Sequence, residues 1–353
     1  MCKRVFILLD YRDQFYFSTR YRGACVDIEK LKKYFKNNDY ELIVKHFSEI
    51  DFRKENYKNE WVLYQSSEDP NLFYKDYIED VLTALCLQGA KLIPDFRYFR
   101  AHHNKVFMEL LRDILSIDEI KNIRSKGFGT YEEYAKSDFP ALPDTYILKP
   151  GVGTRSSGIE LLTNSKDKRK YPYSISRTFT FDNLKLFVSK LKTGKPFTPM
   201  SNNRRKFIVQ NFVGGLEGDF RIIVYGEKYY VVFRENRDND FRASGSGKLN
   251  FEVELPDGLL NYAKSVYTQF GTPFMSLDIG HKNGAFYLFE FQCLCLGQYT
   301  LEKSKFYYTQ MNVGWERVLE TPDLEREIAT TVLAYMEKNN IYAESHDLLV
   351  RKI

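Results

Sequence analysis

A chain of 353 residues, 43% of them hydrophobic and 28% charged, has enough material for two to three structural units and is too apolar for disorder; 26 tyrosines and 28 phenylalanines point to aromatic interiors. No apolar run approaches the roughly 20 residues that cross a bilayer. Five cysteines, an odd number without metal-ligand spacing, suit a reducing, cytoplasmic setting better than a disulfide framework. The net charge of +5 is unevenly spread: between Thr163 and Lys206 twelve Lys/Arg stand against Asp167 and Asp182, a local +10. Such a block reads equally as a solvated face or as an anion-binding one.

The apolar run at 5–9 is too short for the core of a signal peptide and reads as a buried strand. A helix at 27–36, strands at 41–47 and 61–65, a helix at 75–87 and a strand at 91–93 closed by Pro94 complete an α/β unit with a mostly parallel sheet, Gly89-Ala90 turning helix into strand. His102-His-Asn-Lys105 opens a helix to about 115, with Val106, Leu110, Leu111 and Leu115 expected on its buried side. Asp138-Phe-Pro-Ala-Leu-Pro143 has the composition of a linker. A strand at 145–149, a glycine loop, a strand at 159–162, a helix at 182–191 and a strand at 206–210 follow, with an exposed loop at 193–205. The last part is strand-dominated: strands at 220–225, 229–235, 274–279 and 285–291, hairpin turns at 226–228 and 282–284, and helices at 259–270 and 324–339.

Three separated stretches carry chemistry. In Tyr146-Ile-Leu-Lys-Pro-Gly-Val-Gly-Thr-Arg-Ser-Ser-Gly158, Lys149 ends an apolar strand just before a loop with Gly151, Gly153 and Gly158 and the hydroxyls of Thr154, Ser156 and Ser157. Glycines let backbone N–H groups approach phosphate oxygens, and a lysine adds a point charge. The spacing matches neither common nucleotide fingerprint, so the loop alone reads as well as a plain turn. In Asp219-Phe-Arg-Ile-Ile-Val224, Arg221 alternates with apolar neighbours, and burying it calls for an anionic partner. The hairpin through Asn283-Gly284 sets Asp278 beside Glu290, and Glu290 and Gln292, two apart, share one side of their strand. Two carboxylates among Leu288, Phe289, Phe291 and Leu294 suit Mg²⁺.

The order of these stretches resembles the ATP-grasp superfamily, and within it the carboxylate–amine ligases similar to the ribosomal-protein glutamate ligase, over roughly residues 95–300. The resemblance implies an ATP-grasp fold of α/β (α+β) class behind an N-terminal α/β pre-grasp domain at 1–95, a helical connection at 96–141, a lid at 142–212 and a catalytic subdomain at 213–353, with ATP clamped between the last two. It implies that Lys105 and Lys149 contact phosphates, assisted by Gly151, Gly153, Ser156, Ser157 and Gly158. Gln210, Asn211 and Phe212 form the adenine hinge, and Asp219 stands where an acid meets the ribose. Arg221 and Arg242, the latter within Arg234-Glu-Asn-Arg-Asp-Asn-Asp-Phe-Arg242, are the implied catalytic arginines, and Asp278, Glu290 and Gln292 the metal ligands. ATP and Mg²⁺, with Mn²⁺ as a substitute, are the implied cofactors. The chain departs from the family at Gln292, where asparagine is usual, and in the following Cys293-Leu-Cys-Leu-Gly-Gln298.

The resulting expectation is an ATP-dependent carboxylate–amine ligase working through an acyl phosphate, with small-molecule or peptide substrates, an anionic acceptor mildly favoured, no membrane and no nucleic acid; a homo-oligomer stays open. A hydroxyl kinase on the same site and a nucleotide-binding regulator without turnover are the alternatives. In the first unit, Arg20 and Arg22 and the segment Tyr64-Gln-Ser-Ser-Glu-Asp69 follow strands and are candidates for a substrate crevice.

Overall fold

A computed structural model describes residues 3–15, 26–141, 144–153, 158–178 and 200–350, with 185, 188 and 192 between them and side chains to 340. The chain divides into two units: a larger one of Met1–His102, Glu217–Asn236 and Gly247–Ile353, and a smaller one of His103–Leu216 and Arg237–Ser246.

The larger unit begins with β1 (Lys3–Leu9), α1 (Ile28–Lys36), β2 (Tyr40–His46), β3 (Trp61–Leu63), α2 (Phe73–Gln88), β4 (Lys91–Ile93) and α3 (Phe96–Ala101). Its four strands are all parallel, in the order β2-β1-β3-β4. The continuous apolar run of β1 is explained by burial on both faces: Val5, Ile7 and Leu9 join Leu31 and Phe35 of α1, while Phe6 and Leu8 join Ile78, Leu82 and Leu85 of α2. Asp27 caps α1 by accepting from the Lys30 N–H at 3.0 Å, and Gly89 ends α2 at φ +91°.

The smaller unit holds α4 (Lys105–Leu115), β5 (Ser125–Phe128), α5 (Tyr131–Ala135), β6 (Tyr146–Pro150), β7 (Glu160–Leu162), α6 (Ser165–Ile175) and β8 (Phe207–Asn211). Its sheet is antiparallel in the order β5-β8-β6-β7, over a core of Phe128, Tyr134, Tyr146, Leu148, Leu162, Phe207 and Val209. The buried side of α4 differs from expectation. Lys105, Met108, Glu109, Leu111 and Arg112 are buried, whereas Leu110 is 51% exposed. Charge satisfaction inside the unit rotates the helix: Arg112 Nε donates to Glu109 at 3.0 Å and the Ser125 hydroxyl donates to the same carboxylate at 2.5 Å. The expected helix at 182–191 falls almost wholly outside the described residues.

The larger unit resumes with β9 (Gly218–Tyr225), β10 (Lys228–Glu235), β11 (Leu249–Asn250), α7 (Leu259–Phe270), β12 (Phe274–Lys282), β13 (Ala285–Gln292), α8 (Tyr299–Glu302), β14 (Phe306–Met311), β15 (Gly314–Leu319) and α9 (Leu324–Val350). The strands form one sheet, β13-β12-β9-β10-β14-β15, with β11 on β10. Asn283 at φ +51° and Gly284 at φ +75° make the two-residue turn between β12 and β13.

Candidate functional site

The middle of the large sheet carries a row of charges fixed by register. Asp278 on β12 stands opposite Glu290 on β13 and opposite Arg221 on β9, and Asp219 on β9 stands opposite Arg234 on β10. A bulge between Asp278 and Ile279 lies in the same place. Arg221 grips Asp278 with both arms of its fork, Nε to Oδ1 and Nη2 to Oδ2, each at 2.8 Å. Arg234 reaches Asp278 Oδ2 at 2.7 Å and holds Asp219 through Nε at 2.6 Å and Nη2 at 2.8 Å. Along Arg221–Asp278–Arg234–Asp219 bases and acids alternate, and removing Asp278 would strand Arg221 in a site where Asp278 and Arg234 are only 8% and 3% exposed.

Burial alone would raise the Asp278 pKa, but the charges of Arg221 and Arg234 and their hydrogen bonds outweigh it and hold the carboxyl below the ordinary range. Asp219 moves the other way, because burial and the neighbouring Asp278 outweigh Arg234. Close approach of β9 and β10 depends on Gly218, where a Cβ would come within 2.1 Å of the Arg234 carbonyl oxygen.

At the sheet edge, Gln292 Nε2 donates to Glu290 Oε1 at 3.0 Å, leaving the Gln292 carbonyl as an acceptor. Glu290 and Gln292 are half-buried. Two carboxylates and a carbonyl are hard oxygen donors of the kind Mg²⁺ takes, and in that respect the set fits the ion. Asp278 contributes less than a bare carboxylate would: Oδ2 already accepts from two arginines, and Oδ1 keeps one lone pair beyond Arg221. Past Gln292, Cys293 and Cys295 are thiols whose pKa burial pushes up, which makes them inert packing groups.

In the smaller unit the lysine candidates lie beside the glycine loop. Lys105 Nζ donates to the Gly153 carbonyl at 3.0 Å and the Lys105 N–H to the Gly151 carbonyl at 2.9 Å. Asn104 caps α4 by accepting from the Phe107 N–H at 3.3 Å. Gly151 is needed because a Cβ there would meet the Lys206 carbonyl oxygen at 2.7 Å. Lys149 is buried at the end of β6, and Gly158 follows at φ +69°; Ser156 and Ser157 lie outside the described residues. Gln210 is buried on β8; the Asn211 N–H donates to the Arg124 carbonyl and that of Phe212 to the Thr145 carbonyl. The Phe212 ring meets Phe241 at 5.4 Å, and Arg242 is braced by Asp240, Nη2 to Oδ2 at 2.6 Å.

No family model matches the chain, and no curated protein matches it. Solved structures do. D-cycloserine synthetase DcsG aligns at 10% identity and TM-score 0.53 over 94% of this chain and 99% of that one. A RimK-domain ATP-grasp protein of Sphaerobacter thermophilus DSM 20745 aligns at 13% identity and TM-score 0.50 over 94% and 99%. The ATP-grasp ligase PsnB complexed with precursor peptide PsnA2 and AMPPNP aligns at 12% identity and TM-score 0.50 over 96% and 99%.

The chain has the ATP-grasp fold.

Within this fold, Arg234 was marked in the sequence only as the start of a segment, although its setting in Lys228-Tyr-Tyr-Val-Val-Phe-Arg234 carries the same signal as Arg221, an arginine in an apolar strand. Tyr299 was also missed; its ring lies 5.9 Å from the Arg221 guanidinium. Of the first-unit crevice candidates, Arg20 and Arg22 lie outside the described residues. Ser66 lies after β3 and is buried, its hydroxyl 2.8 Å from His102 Nδ1, with Glu68 3.5 Å from His102 Nε2. This polar cluster follows the carboxyl end of a parallel strand, where α/β sheets place ligands.

Proposed function

We propose that the chain is an ATP-dependent carboxylate–amine ligase. The observation that carries this reading is the charge row Glu290–Asp278–Arg221 with Arg234 and Asp219, in a chain whose fold is shared with a synthetase and a ligase. A substrate carboxylate oxygen attacks the γ-phosphorus of ATP and ADP leaves. The amine nitrogen then attacks the acyl carbon, the carbon–oxygen bond to phosphate breaks, and the amine gives up its proton.

Each residue's part follows from its setting. Lys149 and Lys105 supply positive charge at the glycine loop, and Gln210, Asn211 and Phe212 line the base, the Phe212 ring as an aromatic wall and the carbonyls, rather than the engaged N–H groups of Asn211 and Phe212, as hydrogen-bond acceptors. Arg221 is held rigid by Asp278 and its Nη1 donates to the Tyr299 hydroxyl at 3.5 Å, so the one remaining Nη1 donor stabilises negative charge without reorganisation. Arg242, braced by Asp240, serves the transferred phosphate in the same way. Arg234 positions the row and touches no substrate. Glu290, the Gln292 carbonyl and the spare lone pair of Asp278 would hold Mg²⁺, or Mn²⁺ in its place, which when bound neutralises phosphate charge.

ADP release from Mg-ATP in the presence of a metabolite extract and hydroxylamine tests the reading. ADP together with a hydroxamate, both reduced on the order of 10²-fold in Glu290→Gln, is the expected result. ADP without hydroxamate would replace the ligase with a kinase. The double arginine grip on Asp278 favours a second reading, a nucleotide-binding regulator, and nucleotide binding without any Glu290-dependent ADP release would establish that instead.

A further inference from the structure

The basic block at 163–206 is not used by the reaction above. Part of it is folded, as α6, and its cations sort onto two sides of that helix. Lys168 turns inward, buried, with Nζ 5.3 Å from the centre of the Tyr146 ring. Lys166, Arg169, Lys170 and Tyr173 recur at i, i+3, i+4 and i+7 and are exposed. With Ser165 and Tyr131 of α5 they line a cavity of about 480 Å³. The hollow is shallow and open to solvent, and Tyr131 meets Tyr173 edge to face at 5.2 Å, giving it an aromatic wall.

Among the described residues Lys166, Arg169 and Lys170 form no ion pair; Lys170 lies only over the Tyr171 ring, at 5.1 Å. Asp167 of the same helix and Glu132 and Glu133 of α5 are engaged locally, and Glu160 on β7 acts on Arg242. Asp167 accepts from Asn164 Nδ2 at 2.7 Å, Glu132 from the Ser201 hydroxyl at 2.7 Å, and Glu133 from the Gly129 and Thr130 N–H groups. Three like charges one turn apart weaken a helix unless an anion comes from outside.

We propose that this pocket binds an extended acidic peptide segment, with carboxylates on alternate residues. Alternate side chains of an extended chain are about 7 Å apart, a spacing the flexible ends of Lys166 and Lys170, one helical turn apart, can meet. The tyrosine hydroxyls add donors for peptide carbonyls. Nucleic acid is the poorer fit: single-strand binders pair a groove that tracks the backbone with a series of rings for successive bases, whereas this face offers three cations within about one helical turn and one tyrosine pair. The proposal stands apart from the ligase reading and holds or fails without it.

Fluorescence anisotropy with a labelled Glu-Gly-Glu-Gly-Glu peptide tests it on the full chain. The expected result is saturable binding, weakened at least tenfold in Lys166→Gln/Arg169→Gln/Lys170→Gln and several-fold in Tyr173→Ala, with far-ultraviolet circular dichroism unchanged. Arg204→Gln/Arg205→Gln, which removes exposed charge elsewhere in the block, should leave binding within twofold. Equal loss in that control would mean unspecific attraction and overturn the proposal, as would no peptide binding at all. Tighter binding of an octathymidylate or of tripolyphosphate through the same three cations would overturn it in favour of a phosphate ligand.

Discussion

Asp278 is the residue on which stability and chemistry meet. Its folded pKa is depressed, so the stabilisation it brings is complete above the unfolded carboxyl value, about 3.9, and is lost as the pH falls from there toward the folded value. Wild-type chain should therefore lose stability progressively as the pH falls below about 3.9 on account of this one group. Asp219, with its raised pKa, acts in the opposite sense: its ionisation opposes folding above its folded value, and that cost is relieved as acid protonates it. Asp278→Asn removes the depressed group and strands Arg221 and Arg234 opposite one remaining acid, costing about 3–5 kcal/mol at pH 7. Urea unfolding at pH 7, 5, 4 and 3.5 should find the gap between wild type and Asp278→Asn wide at pH 7 and narrowing only below pH 4. A gap that does not change with pH would show that Asp278 is not the ionised partner of the two arginines.

At the scale of elements, the hairpin β12–β13 and the pair β9–β10 set the row, and each depends on a glycine for a different reason. Gly284 has open space around its missing Cβ but sits at φ +75°, whereas Gly218 would drive a Cβ to 2.1 Å from the Arg234 carbonyl oxygen. Gly284→Ala should cost about 1 kcal/mol and leave ADP release intact. Gly218→Ala should cost about 3 kcal/mol and reduce ADP release, since β10 carries Arg234. Equal costs in thermal unfolding would remove the distinction between torsion and crowding. The same hairpin shows why much of the site was legible: alternation and an Asn-Gly turn fix register, and register puts Asp278 beside Glu290. What alternation does not encode is partner choice, so the grip of Arg234 on Asp278 appeared only with coordinates. The periodicity of α4 misled because its inward stripe holds Lys105, Glu109 and Arg112, and α6 was hidden by Pro172 and a run of lysines. Strands β14 and β15 gave no turn signal strong enough to read, and β5 is interrupted by Gly127.

For the molecule as a whole, the residues assigned to one nucleotide belong to both units, Lys149 and Gln210 to the smaller and Glu290 to the larger, and each unit has its own apolar core. A ligand that binds only folded chain stabilises it by mass action, about 2.7 kcal/mol at one hundred times its Kd. For domains of this size that is roughly 5–10 °C in Tm. Mg-ADP at that excess should produce such a shift in a calorimetric scan, and where two transitions are seen it should raise both if the proposed assignment of Lys149 and Glu290 to one nucleotide holds. Lys149→Met should abolish the shift. Glu290→Gln should retain only what ADP produces in EDTA, since the lost carboxylate serves the metal and not the base. A shift confined to one transition would assign the nucleotide to one unit alone and remove either Lys149 or Glu290 from the site. The absence of any shift with millimolar Mg-ADP or Mg-ATP would leave the fold as it stands and defeat the ligase reading, because neither the acyl phosphate nor the amide can form without the nucleotide.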